Sequence, residues 1–201
     1  MNALLTAASY VFHPLWMPFA GTLLYFLTTP RFFPEPVIKA KLMAIAIMTL
    51  FIPIVFHFLL KTLGIVSSPF LREIRERNWP LLFYMLLLVV TLHFVLNMYD
   101  YPELYYFFMG ILFSTVTAWF LIWTKIKISL HMMGMAGTSM FIIALSVFYN
   151  LDLIYTISFL VAATGLTATS RLHLKAHSPL ELALGYFIGL IPQIFVLRFW
   201  L

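Results

Sequence analysis

The segment SRLHLKAHSPLELALGYFIGLIPQIFVLRF, residues 170–199, joins a short basic stretch to a long apolar one. The apolar part approaches the roughly 20 residues that a helix needs to cross the hydrocarbon core of a membrane. Ser178 at the cap, Pro179 at the first helical position and Glu181 at the third form the pattern of a helix N-terminus. The segment therefore predicts a membrane-spanning helix that begins beside a cluster of cations and histidines.

Comparable apolar stretches recur along the whole chain. Of its 201 residues, 63% are hydrophobic and only 9% are charged, whereas a soluble domain is about 25% charged. Seven stretches approach the length of a span: Ala3–Thr28, Leu42–Leu60, Pro80–Tyr99, Leu104–Trp123, Leu130–Tyr149, Leu153–Thr169 and Pro179–Phe199. Strand-like alternation is absent, which argues against a β-barrel. We predict one all-α domain over residues 1–201, a polytopic membrane bundle of about seven helices, or six if one stretch is re-entrant.

The rest of the composition excludes several classes of function. The chain has no cysteine, so disulfides and thiolate chemistry are excluded. Its net charge of +5 does not indicate nucleic-acid binding, but it favours anionic lipids or phosphate ligands. No basic region precedes the first apolar stretch, so we expect that stretch to remain in the protein rather than to be cleaved as a signal peptide.

The charged loops alternate with the predicted spans. Residues 72–80 precede the third span, residues 125–134 the fifth and residues 170–179 the seventh. Two spans separate each loop from the next, so all three emerge on one side of the membrane, which we call the basic face. Eight of the twelve Lys and Arg residues lie there: Lys61, Arg72, Arg75, Arg77, Lys125, Lys127, Arg171 and Lys175.

These cations allow two interpretations. Guanidinium and ammonium groups near a membrane surface suit phosphate, but basic residues at helix ends also anchor spans. We favour simple anchoring for Lys61, Arg75 and Lys125. His131 and His177 differ because each opens a helix beside cations, and an imidazole can act as nucleophile, acid or base near pH 7.

Glu181 also has alternative roles. It can complete the N-terminal cap of its helix together with Ser178. Because it lies four residues after His177, it can instead hold one ring nitrogen and leave the other as an attacking lone pair, and the two roles are compatible. A metal site built from His173, His177 and Glu181 would need an unbroken helix, which Pro179 disfavours.

The third of these basic loops resembles a motif of the type 2 phosphatidic acid phosphatase superfamily, the membrane phosphatases related to vanadium haloperoxidases. That family has three motifs, K-x-x-x-x-x-x-R-P, P-S-G-H and S-R-x-x-x-x-x-H-x-x-x-D. Ser170, Arg171 and His177 match the third, and Glu181 stands where the family usually has aspartate. The stretches HPLWMPFAG and HSPLELALGYFIG further resemble a bacterial branch.

The first two motifs are matched in part. The positions that agree are Ser129, His131 and Pro80, with Arg72 at the lysine position; the positions that differ are Ile128, Leu130 and Trp79, which replace proline, glycine and arginine. Removal of one charge-stabilising donor can lower a rate roughly 10²–10³-fold. The alternative function is therefore a catalytically impaired lipid-binding, anion-binding or transport-related protein. A third interpretation is a structural helix bundle with no ligand.

The resemblance implies a lipid phosphate or lipid pyrophosphate phosphatase that needs no metal or other cofactor. His177 would attack phosphorus and form a phosphohistidine, Glu181 would orient His177, and His131 would protonate the leaving oxygen and then activate water. The phosphate-binding residues would be Arg171, Arg72, Arg77, Lys127, Ser129 and Ser170. The implied partner is a phospholipid or polyprenyl phosphate substrate in a bacterial inner membrane. The family acts on the periplasmic side, whereas the excess of Lys and Arg on the basic face would place that face in the cytoplasm.

Overall fold

The computed structural model of the protein describes residues 2–67 and 73–201. Within these ranges the chain forms helices and no strand, so the predicted all-α class is confirmed. The helices are α1 (Asn2–Val11), α2 (Trp16–Thr28), α3 (Glu35–Thr62), α4 (Arg75–Val95), α5 (Pro102–Trp123), α6 (Leu130–Phe148), α7 (Ile154–His173) and α8 (Pro179–Leu197). Helices α3 and α4 each contain a wide π-helical turn, Ile47–Phe51 and Thr91–Val95.

Five of the described helices, α3, α4, α5, α6 and α8, are long and apolar enough to cross a membrane. The protein is therefore an integral membrane protein. The predicted count of seven spans is not confirmed. Helix α7 has 20 residues, but it is rich in Ser and Thr and does not belong to the five.

The first apolar stretch is interrupted, contrary to the single helix expected over Ala3–Thr28. Two helices of 10 and 13 residues occupy it, and the chain turns through residues 12–15 between them. Pro14 accounts for the break because proline has no amide hydrogen and disfavours helical geometry at the residue before it, His13. Each helix is shorter than the roughly 20 residues needed to span the hydrocarbon core.

The centre of the bundle is the packing of α6 against α8, flanked by α2, α5 and α7. Gly185 and Gly189 make this packing close, since an added Cβ would lie 2.4 Å from the Ser129 carbonyl oxygen and 2.1 Å from that of Met133. Small residues four apart let two membrane helices approach in this way. The contact is completed by the Ser129 amide, which donates to the Glu181 carbonyl oxygen at 3.0 Å. It holds the first turns of α6 and α8 side by side.

At the opposite end of the bundle, a buried carboxylate forms hydrogen bonds that link several helices. Glu103, 3% exposed, accepts hydrogen bonds from Arg31 at 3.1 Å and from the Tyr25 hydroxyl at 3.1 Å. It also accepts a hydrogen bond from the Tyr149 hydroxyl. A buried charge is tolerated when it is paired and hydrogen-bonded in this way. The network joins α2, α5, the end of α6 and the loop that follows α2.

Candidate active site

His177 lies in the turn between α7 and α8, and a carboxylate holds its ring. Its Nδ1 is 2.6 Å from Oε2 of Glu181. A carboxylate only accepts hydrogen bonds, so Nδ1 carries the hydrogen and Nε2 keeps a lone pair. The backbone amide of Glu181 meanwhile donates to the Ser178 hydroxyl at 3.3 Å, which caps α8. The amide of Glu181 thus serves the cap while its side chain orients His177.

The surroundings keep His177 neutral. Burial lowers the pKa of His177 from 6.5 to about 4. The hydrogen bond to Glu181 opposes this decrease in pKa, while the positive charges of Arg77 and Arg171 add to it. The imidazole is therefore unprotonated at neutral pH and able to act as a nucleophile.

Two arginines are buried beside His177. Arg77 is 4% exposed and Arg171 is 3% exposed. Arg77 donates through Nη1 to the Ile128 carbonyl oxygen at 2.7 Å, and Arg171 donates through Nη1 to the Ser9 hydroxyl at 3.1 Å. A guanidinium carries five N–H donors in a planar fork that matches phosphate oxygens. Arg77 lies in the first turn of α4 and Arg171 in the last turn of α7, and together they give the site its positive charge.

His131 opens α6 and lies on the same cavity as His177. Its Nε2 is 3.1 Å from the Ser9 carbonyl oxygen. Since a carbonyl only accepts, Nε2 is the donor in this hydrogen bond. The ring of His13 meets that of His131 edge to face, with 5.2 Å between centroids. Burial, followed by the charge of Arg171, lowers the pKa of His13 from 6.5 to about 4.

Ser9 and His13 are site residues that the sequence did not reveal. Ser9 contacts three of the predicted residues, because its hydroxyl lies 2.7 Å from that of Ser170 in addition to its contacts with Arg171 and His131. No local pattern marks Ser9. The only signal for His13 is the His-Pro pair inside an apolar stretch, which predicts a break in the helix.

The remaining predicted phosphate ligands occupy supporting positions. Lys127 donates through Nζ to the Ala176 carbonyl oxygen at 3.1 Å. The hydroxyl of Ser129 caps α6 by accepting from the Met132 amide at 3.4 Å, and that of Ser170 bonds Ser9 and the Leu5 carbonyl oxygen. The contacts of Lys127 and Arg77 join the three loops and bring them together at one end of the bundle. Arg72 lies outside the described residues.

The anchoring role favoured for three other cations agrees with their surroundings. Lys61, Arg75 and Lys125 are exposed. The alternative metal site would need one helix through His173 and Glu181, but α7 ends at His173 and α8 begins at Pro179. Within residues 2–67 and 73–201, no three His, Asp or Glu side chains group as metal ligands.

This polar cluster lines part of a cavity of about 330 Å³, and we call it the inner cavity. Its polar end is lined by His13, His131, His177, Arg77 and Arg171. Its body is mostly apolar and is lined by side chains of α2 to α6, among them Leu50, Pro53, Phe83, Ile111 and Met133. A cavity with one cationic end and an apolar body fits an amphipathic ligand with an anionic head.

A second apolar space, the outer groove of about 910 Å³, lies between α3, α4 and α5. Leu82, Leu86 and Phe113 line it. Phe56 and Phe83 line both spaces, and their rings stack with 3.9 Å between centroids. This aromatic pair therefore borders both the inner cavity and the outer groove.

The chain matches no protein-family model, no curated protein and no solved structure. A function must therefore be argued from the geometry of the site and from the motif residues it contains.

Proposed function

We propose that the protein is a membrane phosphatase of lipid phosphates or lipid pyrophosphates, similar to the type 2 phosphatidic acid phosphatases, that works through a phosphohistidine without a metal. One observation carries the proposal. The 2.6 Å hydrogen bond between His177 and Glu181 lies at the cationic end of a cavity whose body is apolar. A lipid phosphate would place its head against the nucleophile and its chains in the apolar body.

In the first step, Nε2 of His177 attacks phosphorus, and the bond from phosphorus to the lipid oxygen breaks. Glu181 stabilises the positive charge that develops on the ring through the hydrogen of Nδ1. The leaving oxygen takes a proton from His131, which must be protonated at this stage. In the second step His131 accepts a proton from water, the water oxygen bonds to phosphorus, and the bond to His177 breaks.

The non-bridging oxygens would be bound by the guanidinium groups of Arg77 and Arg171, with Lys127 nearby and Arg72 as a further ligand. Charge spreads over these oxygens in a loose transition state, so fixed cations are the main source of stabilisation. The N-terminus of α8 adds the positive end of the helix dipole beside His177. Ser129 would contribute by capping α6, and Ser170 by bonding α7 to α1 beside Arg171.

The proposal is tested by phosphate release from phosphatidic acid and from a polyprenyl diphosphate in detergent micelles. Wild type is compared with His177→Ala, with and without a chelator. We expect phosphate release that requires His177, is unaffected by the chelator and proceeds through an acid-labile phosphoenzyme. Release that survives His177→Ala would reject the mechanism, and release abolished by the chelator would point to a metal.

A second candidate is a lipid-binding, anion-binding or transport-related protein that has lost catalysis. It is favoured by Ile128, Leu130 and Trp79, which replace residues of the family motifs. This candidate predicts no phosphate release, together with phosphatidic acid binding that survives His177→Ala and weakens with Arg171→Ala.

We place the protein in a bacterial inner membrane with the basic face in the periplasm. Four of the eight cations there, Arg72, Arg77, Lys127 and Arg171, are proposed phosphate ligands, so they do not follow from the rule that favours basic loops in the cytoplasm. Because the chain has no cysteine, the exposed loop residue Lys175 can be changed to Cys as a single label site. Reaction with an impermeant maleimide in intact cells is expected, and protection until lysis would reverse the orientation.

A further inference from the structure

A chain of hydrogen bonds runs from Arg171 on α7 to the backbone of α1, and Ser9 is its middle member. Nη1 of Arg171 lies 3.1 Å from the Ser9 hydroxyl, which lies 2.7 Å from the Ser170 hydroxyl. The Ser170 hydroxyl in turn donates to the Leu5 carbonyl oxygen. Ser9 and Ser170 are each 0% exposed. The chain therefore links a proposed phosphate ligand to α1, a helix that contains none of the motif residues.

The chemistry of the groups fixes the direction of every hydrogen bond in this chain. A guanidinium only donates, a carbonyl only accepts, and a hydroxyl has a single hydrogen. The hydrogen of Ser170 goes to the Leu5 carbonyl, so the Ser170 oxygen can only accept from Ser9. The Ser9 oxygen is then the acceptor for Arg171. Because the chain has one direction only, Ser9 fixes where an Nη1–H bond of the Arg171 fork points.

The backbone of Ser9 holds a second residue of the site. Its carbonyl oxygen accepts a hydrogen bond from Nε2 of His131 at 3.1 Å. In an uninterrupted helix that carbonyl would accept from the amide of His13, four residues later. The His13 amide instead donates to the Tyr10 carbonyl oxygen at 3.3 Å. The break at Pro14 therefore leaves the Ser9 carbonyl available to the ring of His131.

We propose that Ser9 is a positioning residue of the active site, whose hydroxyl orients the guanidinium of Arg171 and whose carbonyl orients the ring of His131. This inference rests on the proposed function and extends the site to α1. Ser9 takes no part in the transfer of the phosphoryl group and acts through the two other side chains. A misplacement of about 1 Å can lower a rate roughly a hundredfold, so loss of the hydroxyl should slow the reaction although Arg171 is still present.

The test is a double-mutant cycle of Ser9→Ala and Arg171→Ala, with phosphate release from phosphatidic acid measured well below the thermal midpoint of each protein. With Arg171 present, we expect Ser9→Ala to lower kcat about ten- to a hundredfold, as for loss of a hydrogen bond to a charged group. In the Arg171→Ala background, the same substitution should change kcat by less than about twofold, because the group that the hydroxyl orients is gone. A hydroxyl that served only the fold would lower kcat by the same factor in both backgrounds.

Two further variants separate the rate from the stability of the fold. Ser9→Thr keeps the hydroxyl and adds a methyl group at a buried position, so we expect a kcat near that of wild type and a lower thermal midpoint. Ser146→Ala is the matched control, because the Ser146 hydroxyl donates to the Leu151 carbonyl oxygen at 2.7 Å, at the far end of α6. It should lower the thermal midpoint with kcat unchanged. If Ser9→Thr does not fold, the double-mutant cycle decides alone.

Wild-type kcat in Ser9→Ala would overturn the proposal, and so would equal losses of kcat in the two backgrounds or a folded Ser9→Thr protein as slow as Ser9→Ala. If no lipid releases phosphate, the proposed function fails, and binding of inorganic phosphate tests the inference instead. Inorganic phosphate should raise the thermal midpoint of wild type by mass action. The increase should be smaller in Ser9→Ala, and Ser9→Ala should have no further effect once Arg171 is replaced by alanine. An increase of equal size in wild type and Ser9→Ala would reject the inference.

Discussion

Replacement of Glu181 by Gln tests the central contact of the site. The carboxylate oxygen lies 2.6 Å from Nδ1 of His177, and the side chains of the pair are 25% and 4% exposed respectively. Gln has the same shape and keeps the backbone amide that donates to Ser178, but it removes the negative charge. A hydrogen bond to a charged group contributes about 1.5–3 kcal/mol, against about 1 kcal/mol for a neutral pair.

The difference, about 0.5–2 kcal/mol, corresponds to a decrease in kcat of about two- to thirtyfold, since about 1.4 kcal/mol is tenfold. The partial exposure of Glu181 favours the lower half of that range. KM should change little, because arginines rather than Glu181 are expected to bind the phosphate. The assay is steady-state release of phosphate from phosphatidic acid at pH 7, beside the thermal midpoint of the same sample.

Ser178→Ala is the matched control for Glu181→Gln. It removes the hydroxyl that caps α8 and should lower stability by about 1 kcal/mol with kcat unchanged. The two variants should therefore have opposite profiles, one losing rate and the other losing stability. A Glu181→Gln protein with wild-type kcat and a lowered thermal midpoint would refute the orienting role and leave Glu181 as a cap.

Three further predictions concern stability. The pKa of His177 is about 4 in the folded protein and 6.5 in the unfolded chain, so the unfolded state binds more protons between these pH values. The thermal midpoint should therefore fall as pH is lowered from about 6.5 to about 4. The decrease should be smaller in His177→Gln. Gly189→Ala would place a Cβ 2.1 Å from the Met133 carbonyl oxygen and should lower stability by about 1–3 kcal/mol. Gly165→Ala is the control, because its Cβ would meet nothing within 4 Å, and it should not lower stability. Thermal unfolding measures both variants. Glu103→Gln removes the charge at the far end of the bundle and should lower the thermal midpoint, at a cost of about 1–3 kcal/mol, with phosphate release below that midpoint unchanged.

The helical class and the common face of the three loops could be predicted from sequence, because both depend on local patterns. Apolar stretches separated by charged loops predict helices, and the number of spans between two loops predicts the side on which they emerge. The break at Pro14 is not predicted by the apolar pattern for a different reason. The apolar character of the first stretch continues through the turn, so the composition resembles one span while the backbone cannot form one.

The role of Ser9 could not be predicted, because it depends on packing between distant parts of the chain. Helix α1 packs against α7, and only that contact brings Ser9 to Arg171 and Ser170. The buried Nε2 atom of His57 and the buried hydroxyl of Tyr84 have no hydrogen-bond partner among the described residues, and this too is invisible in the sequence. A histidine or tyrosine inside an apolar span is expected to pair with a neighbour, and its lack of a partner appears only when the surrounding helices are in place.

The charges of the site have opposite effects before and after a phosphate binds, and this favours the proposed mechanism over simple anion binding. In the free protein, Arg77 and Arg171 lower the pKa of His177 and so preserve the lone pair of the nucleophile. A bound phosphate would neutralise part of that positive potential at the moment when the ring begins to acquire charge. Glu181, already hydrogen-bonded to Nδ1, would then stabilise the cationic phosphohistidine. A site that only bound anions would gain from a protonated His177, whereas burial here keeps that histidine neutral.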